Sequence, residues 1–193
     1  EILDILTRGG ASTCGTEVQL RIGVTRAEYL VRELDPATSR FAELASLPIE
    51  TEEFPEEYTR VAGQTDTRFR ITVAEGATSW QVWDALTRAE FLEGELSDRP
   101  EEGSLATESY EMRRGAQRAG LLEEMQRRQA AILAAAWENR AEGLPLASPE
   151  EALILASIVE KETGVADERR QVASVFVNRL RVPMRLQTDP TVI

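Results

Sequence analysis

The spacing of apolar residues changes along this 193-residue chain, and the change limits the folds that it can adopt. Between Thr16 and about Val73, apolar residues alternate with polar ones, which is typical of strands with one buried face. The alternation is clearest at Val18, Leu20, Ile22, Val24, Tyr29, Val31, Phe69 and Ile71. We therefore predict several antiparallel strands here.

Three details of this region bear on the strand prediction. Asp35-Pro36 is a turn signal between strands. Leu30 and Leu34 lie four residues apart, so that segment would also suit a short helix. The acidic stretch from Glu50 to Glu57 is predicted to be an exposed loop.

After residue 76 the spacing becomes helical. Thr78 and Gln81 form a capping-box signature, and we predict a helix over residues 79–90. Its apolar residues include Trp80 and Trp83, which we interpret as core side chains rather than a sugar-stacking platform. A second long helix is predicted to end near Arg140. The pattern thus indicates an α+β fold, strand-rich at first and mainly helical from about residue 116.

Composition excludes several classes of function. The net charge of -12 disfavours nucleic acid as a partner, because phosphate binding depends on Lys and Arg. The absence of His removes the usual imidazole base and most zinc sites, and we expect neither a metal nor a cofactor. Cys14 is the only cysteine and cannot form an internal disulfide. The longest apolar run, residues 130–137, is far shorter than a spanning helix.

Start signals for a further helix occur together at Ser148, Pro149 and Glu151, which combine a cap, a proline at the first helical position and a capping box. This helix is predicted to end at Gly164 in the left-handed conformation that closes many helices. Another helix is predicted from Asp167, with its buried side formed by Val172, Val175, Phe176 and Leu180.

Glu162 is the main catalytic candidate. Leu155, Ile158 and Val159 precede it by 7, 4 and 3 residues, so the carboxylate is predicted to share the apolar stripe of the helix. Desolvation there would raise its pKa, as a general acid requires. Glu160 lies about 200° round the helix, on the more polar side.

Alternatives remain open at this level. Glu162 could equally be a structural ion-pair partner of Arg169 or Arg179. A polar cluster follows the last predicted helix and would suit either a polyhydroxylated ligand or an ordinary turn; it consists of Gln187, Thr188 and Asp189.

Three runs of sequence carry a resemblance to a known family. LILASIVEKETGVADERRQVASVFVNRL, followed by MRLQTDPTVI, closely resembles the signature of the YceG-like, MltG-type endolytic murein transglycosylases. The upstream run FRITVAEGATSWQVWDAL is similar to the LysM-like region of that family. The resemblance implies a LysM-like region over residues 1–95 with a strand-rich insertion at about 11–65. It also implies a linker and long helix at 96–147, followed by a truncated start of the catalytic domain at 148–193.

The resemblance also implies a reaction and a site. Family members cut within peptidoglycan glycan strands, between N-acetylmuramic acid and N-acetylglucosamine, and leave 1,6-anhydro ends. Glu162 would be the catalytic acid and base, and Glu160 a supporting residue. Gln187, Thr188 and Asp189 would line the glycan cleft.

The expected setting is the periplasmic face of a bacterial inner membrane, reached through an anchor outside these residues. Glycan strands are the expected partner, and cell-wall synthesis proteins are candidate partners. The sequence leaves open whether this chain alone is active. It also leaves open a non-catalytic glycan- or partner-binding module, a hydrolase with Asp189 as second carboxylate, and a pyridoxal-phosphate lyase that uses Lys161, the only lysine.

Overall fold

The structure is a computed structural model, and it describes residues 15–96 and 98–188. Cys14 and Asp189 lie outside the described residues. The chain divides into two compact units, residues 1–127 and 128–193. Strands dominate the first unit and helices form the second, which confirms the α+β fold class.

The first unit contains a five-stranded mixed sheet and a small two-stranded one. Its strands are β1 (Thr16–Ile22), β2 (Ala27–Asp35), β3 (Arg40–Pro48), β4 (Arg68–Val73), β5 (Leu92–Glu93), β6 (Ser109–Met112) and β7 (Ala116–Gln117). The large sheet has the order β3-β2-β1-β4-β6, and β5 pairs with β7.

Strand directions differ in one respect from the predicted antiparallel arrangement. β1 is antiparallel to β2, with Val18 opposite Val31. It is parallel to β4, with Val18 also opposite Phe69. The antiparallel prediction is therefore correct for β1 to β3 and wrong for β1 with β4. Parallel neighbours need a long connection, and the chain between β1 and β4 provides it.

Helix α1 (Glu56–Ala62) lies within that connection and was not predicted. The acidic stretch from Glu50 is a loop, as predicted, but its last two residues begin this helix. The buried residues of α1 are Tyr58, Val61 and Ala62, which have helical spacing. No side-chain hydrogen bond caps the start of α1 at Pro55, so the usual start signal is missing.

The core of the first unit forms between one face of the sheet and the helices. Val18, Leu20 and Ile22 of β1 are completely buried, as the alternation predicts. Val24 lies past the end of the strand and is 46% exposed. Leu30 and Leu34 both lie in β2, so the helical alternative for that segment is wrong. The turn predicted at Asp35-Pro36 is present.

Helix α2 (Ser79–Arg88) has the predicted capping box. The Gln81 amide donates to Thr78 Oγ1 at 3.2 Å, and the Thr78 amide donates to Gln81 Oε1 at 2.8 Å. Val82 and Leu86 are buried. Trp80 is 50% exposed, so its interpretation as a core side chain is wrong.

Helix α3 (Arg118–Glu138) is the predicted long helix, and the boundary between the two units falls within it. The second unit also contains helices α4 (Pro149–Glu162) and α5 (Arg169–Arg181), with a 3-10 turn at Ala166–Glu168 between them. None of the helices described is long and apolar enough to cross a membrane.

Candidate active site

Helix α4 carries Glu160 and Glu162, and it begins where the sequence predicts. Ser148 caps it, because Ser148 Oγ accepts a hydrogen bond from the Glu151 amide at 3.3 Å. The Glu151 carboxylate accepts from the Ala147 amide at 2.7 Å, one residue before the cap. Two backbone amides at this end therefore have hydrogen-bond acceptors. In a standard capping box the Glu151 carboxylate would accept from the amide of Ser148, whereas here it accepts from the amide of Ala147.

The end of α4 differs from the prediction. Gly164 does not adopt a positive φ, so its predicted role as a left-handed terminator is wrong. The helix ends at Glu162, and Thr163 has an extended backbone with φ of -143°. The buried Thr163 hydroxyl donates to Glu168 Oε2 and accepts from the Val165 amide, each at 3.1 Å. These two bonds fix the turn that follows Glu162.

Leu155, Ile158 and Val159 are buried, as the apolar stripe predicts. Glu162 continues the stripe in sequence, but its side chain is exposed. The predicted desolvation of this carboxylate is therefore not present in the structure. The physical reason is that Glu162 is the last residue of α4, beyond the part of the stripe that packs against α5.

Glu160 and Glu162 differ in their partners. Arg169 donates to Glu160, with 3.2 Å between Nη2 and Oε2, and so joins the end of α4 to the start of α5. Arg179 donates to the carbonyl of Leu186. The side chain of Glu162 makes no hydrogen bond or ion pair within the described part of the chain, so the alternative pairing with Arg169 or Arg179 is not observed.

Helix α5 holds α4 in place through a small apolar cluster. Phe176 is 4% exposed and packs with Leu155, Ile158 and Val159. Val175 is 48% exposed, so its predicted place on the buried side is wrong. The remaining predicted residues, Val172 and Leu180, are partly buried against the cluster.

The segment after α5 is joined to the same cluster at Leu186, next to the predicted ligand-binding residues Gln187 and Thr188. Leu186 packs against it, and Arg179 holds the Leu186 carbonyl. Gln187 is exposed and has φ of 48°, which is uncommon for a residue other than glycine. Thr188 is buried. One packed unit therefore carries Glu162, Gln187 and Thr188.

At the end of α4, Glu162 has an exposed carboxylate without a side-chain partner in the described chain, and Glu160 has an exposed carboxylate that is engaged by a guanidinium. Such a pair suits acid-base chemistry at a single carboxyl. Among residues 15–96 and 98–188, no group of three or more His, Cys, Asp or Glu side chains could hold a metal ion.

Comparison with known proteins identifies the family of the chain. The sequence model of the YceG-like family matches residues 31–193, so the chain belongs to the YceG-like family. A curated relative, the endolytic murein transglycosylase of Bacillus subtilis (strain 168), is 51% identical over 41 residues. Those residues are 21% of this chain and 11% of the relative.

Proposed function

We propose that this chain is part of a peptidoglycan lytic transglycosylase that cleaves within glycan strands. Membership of the YceG-like family and the name of the Bacillus subtilis relative support a murein substrate. The structural observation that carries the proposal is Glu162, an exposed carboxylate at the end of α4 without a described hydrogen-bond or ion-pair partner. A catalytic acid must be accessible in this way to reach a glycosidic oxygen.

In the proposed reaction Glu162 first protonates the oxygen that leaves from C1 of N-acetylmuramic acid. The C1–oxygen bond breaks as the C6 hydroxyl of the same sugar attacks C1. Glu162 takes the hydroxyl proton and returns to its acid form, and the new O6–C1 bond closes the 1,6-anhydro ring. The nucleophile is intramolecular, which gives it a high effective concentration and makes a second carboxylate unnecessary.

The surroundings of Glu162 would change when glycan binds. In the described chain the carboxylate faces solvent, so a bound strand has to supply the desolvation that favours the protonated acid. We assign Glu160 a supporting role, since Arg169 holds it. Gln187, Thr188 and Asp189 are proposed to contact the sugar hydroxyl groups.

The proposed organisation follows the same family. Residues 1–95 would form a LysM-like region with a strand-rich insertion at about 11–65, residues 96–147 a linker with the long helix, and 148–193 the start of the catalytic domain. α2 follows β4 in the chain, and β4 pairs antiparallel with β6, which comes after β5. Because the proposed substrate is peptidoglycan, we also propose that the protein is located in the cell envelope.

Analysis of the reaction products tests the function. Glycan strands digested with the full-length protein should end in 1,6-anhydro-muramic acid, as measured by mass spectrometry. Products heavier by one water, with reducing ends, would instead identify a hydrolase and bring Asp189 forward as its second carboxylate. Two results together would favour a non-catalytic binding module. The protein would cleave no glycan, and it would still bind glycan after removal of the residues beyond Gly143.

A further inference from the structure

Two side-chain contacts join the end of α4 to the residues that lead into α5, one on each side of Glu162 in sequence. Before it, Glu160 binds Arg169, with 3.2 Å between Oε2 and Nη2. After it, the Thr163 hydroxyl donates to Glu168 Oε2 at 3.1 Å. Glu168 ends the 3-10 turn and Arg169 begins α5. Glu162 is therefore flanked by two contacts with the same short segment.

The two contacts differ in burial. The side chains of Glu160 and Arg169 are 41% and 42% exposed, so water competes with their ion pair. Thr163 is only 7% exposed, and its hydroxyl also accepts from the Val165 amide at 3.1 Å. A hydroxyl can donate one hydrogen bond and accept others, so both of its bonds can form together. The Thr163 contact therefore constrains the end of α4 more firmly than the ion pair does.

The turn after Glu162 depends on Thr163 rather than on the glycine that follows. Thr163 is extended, with φ of -143° and ψ of 128°, a conformation that suits a β-branched residue. Its amide donates to the Val159 carbonyl at 3.2 Å and completes the helix. Gly164 does not adopt a positive φ, and a Cβ added there would meet no described atom within 4 Å beyond its chain neighbours. The Thr163 hydroxyl is thus the group that holds this turn.

We propose that Thr163 is a positioning residue, which holds the end of α4 so that Glu162 meets the glycosidic oxygen. The last residues of a helix fray easily, and the Glu162 side chain has no hydrogen bond or ion pair of its own within the described chain. A general acid must lie within hydrogen-bond reach of the leaving oxygen, and a misplacement of about 1 Å can lower the rate about 10²-fold. The role rests on the proposed function, because it takes Glu162 as the acid.

The test compares Thr163→Val with Thr163→Ser in the full-length protein. Valine has nearly the shape of threonine and suits the same extended backbone, but it can make neither bond. Serine retains the hydroxyl. Release of 1,6-anhydro ends from soluble glycan strands gives kcat and KM. The matched control is Ser157→Ala, which removes an exposed hydroxyl of the same helix that bonds the Ile154 carbonyl.

Hydrogen exchange at the Val165 amide measures the geometry of the turn without any cleavage. This amide donates to Thr163 Oγ1. It should therefore exchange several times faster in Thr163→Val than in the parent, and at close to the parental rate in Thr163→Ser.

The kinetic effect should fall on kcat. We expect Thr163→Val to lower kcat about 10- to 100-fold and to leave KM within about twofold, because the buried Thr163 side chain orients the acid without touching the glycan. Thr163→Ser should recover most of kcat, and Ser157→Ala should match the parent. If circular dichroism shows that Thr163→Val is misfolded, Glu168→Ala decides in its place. It removes one of the two bonds at an exposed residue and should lower kcat severalfold.

Three results would overturn the positioning role in a parent that cleaves glycan. They are a parental kcat in folded Thr163→Val, or in Glu168→Ala where that variant decides, a loss of kcat that Thr163→Ser does not restore, and equal exchange of the Val165 amide in the parent and Thr163→Val. A parent that releases no cleavage products instead refutes the proposed function, and the positioning role with it. The two proposals can therefore be distinguished by the activity of the parent.

Discussion

The carboxylate of Glu160 lies 3.2 Å from the guanidinium of Arg169, while Glu162, two residues later on the same helix, is left without a described partner. The side chains of the pair are 41% and 42% exposed, so the pair contributes at most about 1 kcal/mol to stability. Its main consequence is chemical, because it distinguishes two glutamates that are close in sequence. This difference leads to the first two predictions.

Glu162→Gln should abolish glycan cleavage by the full-length protein. The amide keeps the shape of the side chain but cannot donate and retrieve a proton, and loss of a general acid-base group typically lowers the rate by about 10²- to 10⁴-fold. Release of anhydro-muropeptides, measured by liquid chromatography, gives the rate. An unchanged circular dichroism spectrum would exclude misfolding. Activity within tenfold of the parent would remove Glu162 from the mechanism.

Glu160→Gln should be much milder. It breaks the ion pair with Arg169 but leaves Glu162 in place, so we expect cleavage to fall by less than about tenfold and the free energy of unfolding by at most about 1 kcal/mol. Arg169→Gln should give a similar result, since it removes the same pair. A loss of activity as large as that of Glu162→Gln would transfer the acid role to Glu160.

The two neighbouring apolar residues of α5 should respond differently to truncation. Phe176→Ala should destabilise the second unit by about 3–5 kcal/mol, because the ring fills the cluster between α4 and α5. Val175→Ala should stay within about 0.5 kcal/mol, because Val175 is 48% exposed. Hydrogen exchange of the α4 and α5 amides measures the loss of stability in each variant. Equal effects would mean that the cluster does not hold these helices together.

The sequence was informative where local signals agreed with burial. Alternating apolar residues predicted β1, and the capping box at Thr78 predicted α2. Both signals depend only on residues that are close in sequence. Helix α1 was missed because it is only seven residues long, follows Pro55 without a side-chain cap and begins inside an acidic stretch. The parallel pairing of β1 with β4 depends on contacts about 50 residues apart, which local periodicity does not contain.

The site was predictable to a similar degree. Spacing placed Leu155, Ile158 and Val159 on the buried stripe, but it could not show that the stripe ends before Glu162. The exposure of Val175 and Trp80 depends on which neighbours pack against each helix, and a helical pattern permits either orientation. A cleft beside Glu90 combines α1, β4 and β6, and only the fold brings these elements together.

Lys161 should have no role in catalysis. Schiff-base lysines are activated by burial or by a neighbouring cation, and the Lys161 side chain is exposed in the last turn of α4. We expect Lys161→Ala to cleave glycan at the parental rate. We also expect added pyridoxal phosphate to produce no absorbance near the visible edge that depends on Lys161. Such a band, together with a loss of activity in the variant, would revive the lyase alternative.

The last prediction concerns the stability of the first unit at alkaline pH. Tyr58 is 2% exposed, and its hydroxyl donates to Glu90. Burial first, and then this hydrogen bond to Glu90, raise the pKa of Tyr58 well above its ordinary value of 10.0. Burial also raises the pKa of Tyr29. The folded state therefore retains protons that the unfolded state releases near pH 10.

Because the folded pKa is the higher one, the stabilisation is fully present below pH 10 and is lost as the pH rises beyond it, by up to about 1.4 kcal/mol per pH unit for Tyr58. Tyr58→Phe removes one of these groups. It should be less stable than the parent at pH 8, where Glu90 loses a donor, yet its free energy of unfolding should fall less steeply between pH 10 and pH 11. Urea unfolding followed by tryptophan fluorescence at each pH measures both slopes. Equal slopes in the parent and in Tyr58→Phe would show that the Tyr58 hydroxyl titrates in the folded protein as it does in the unfolded chain.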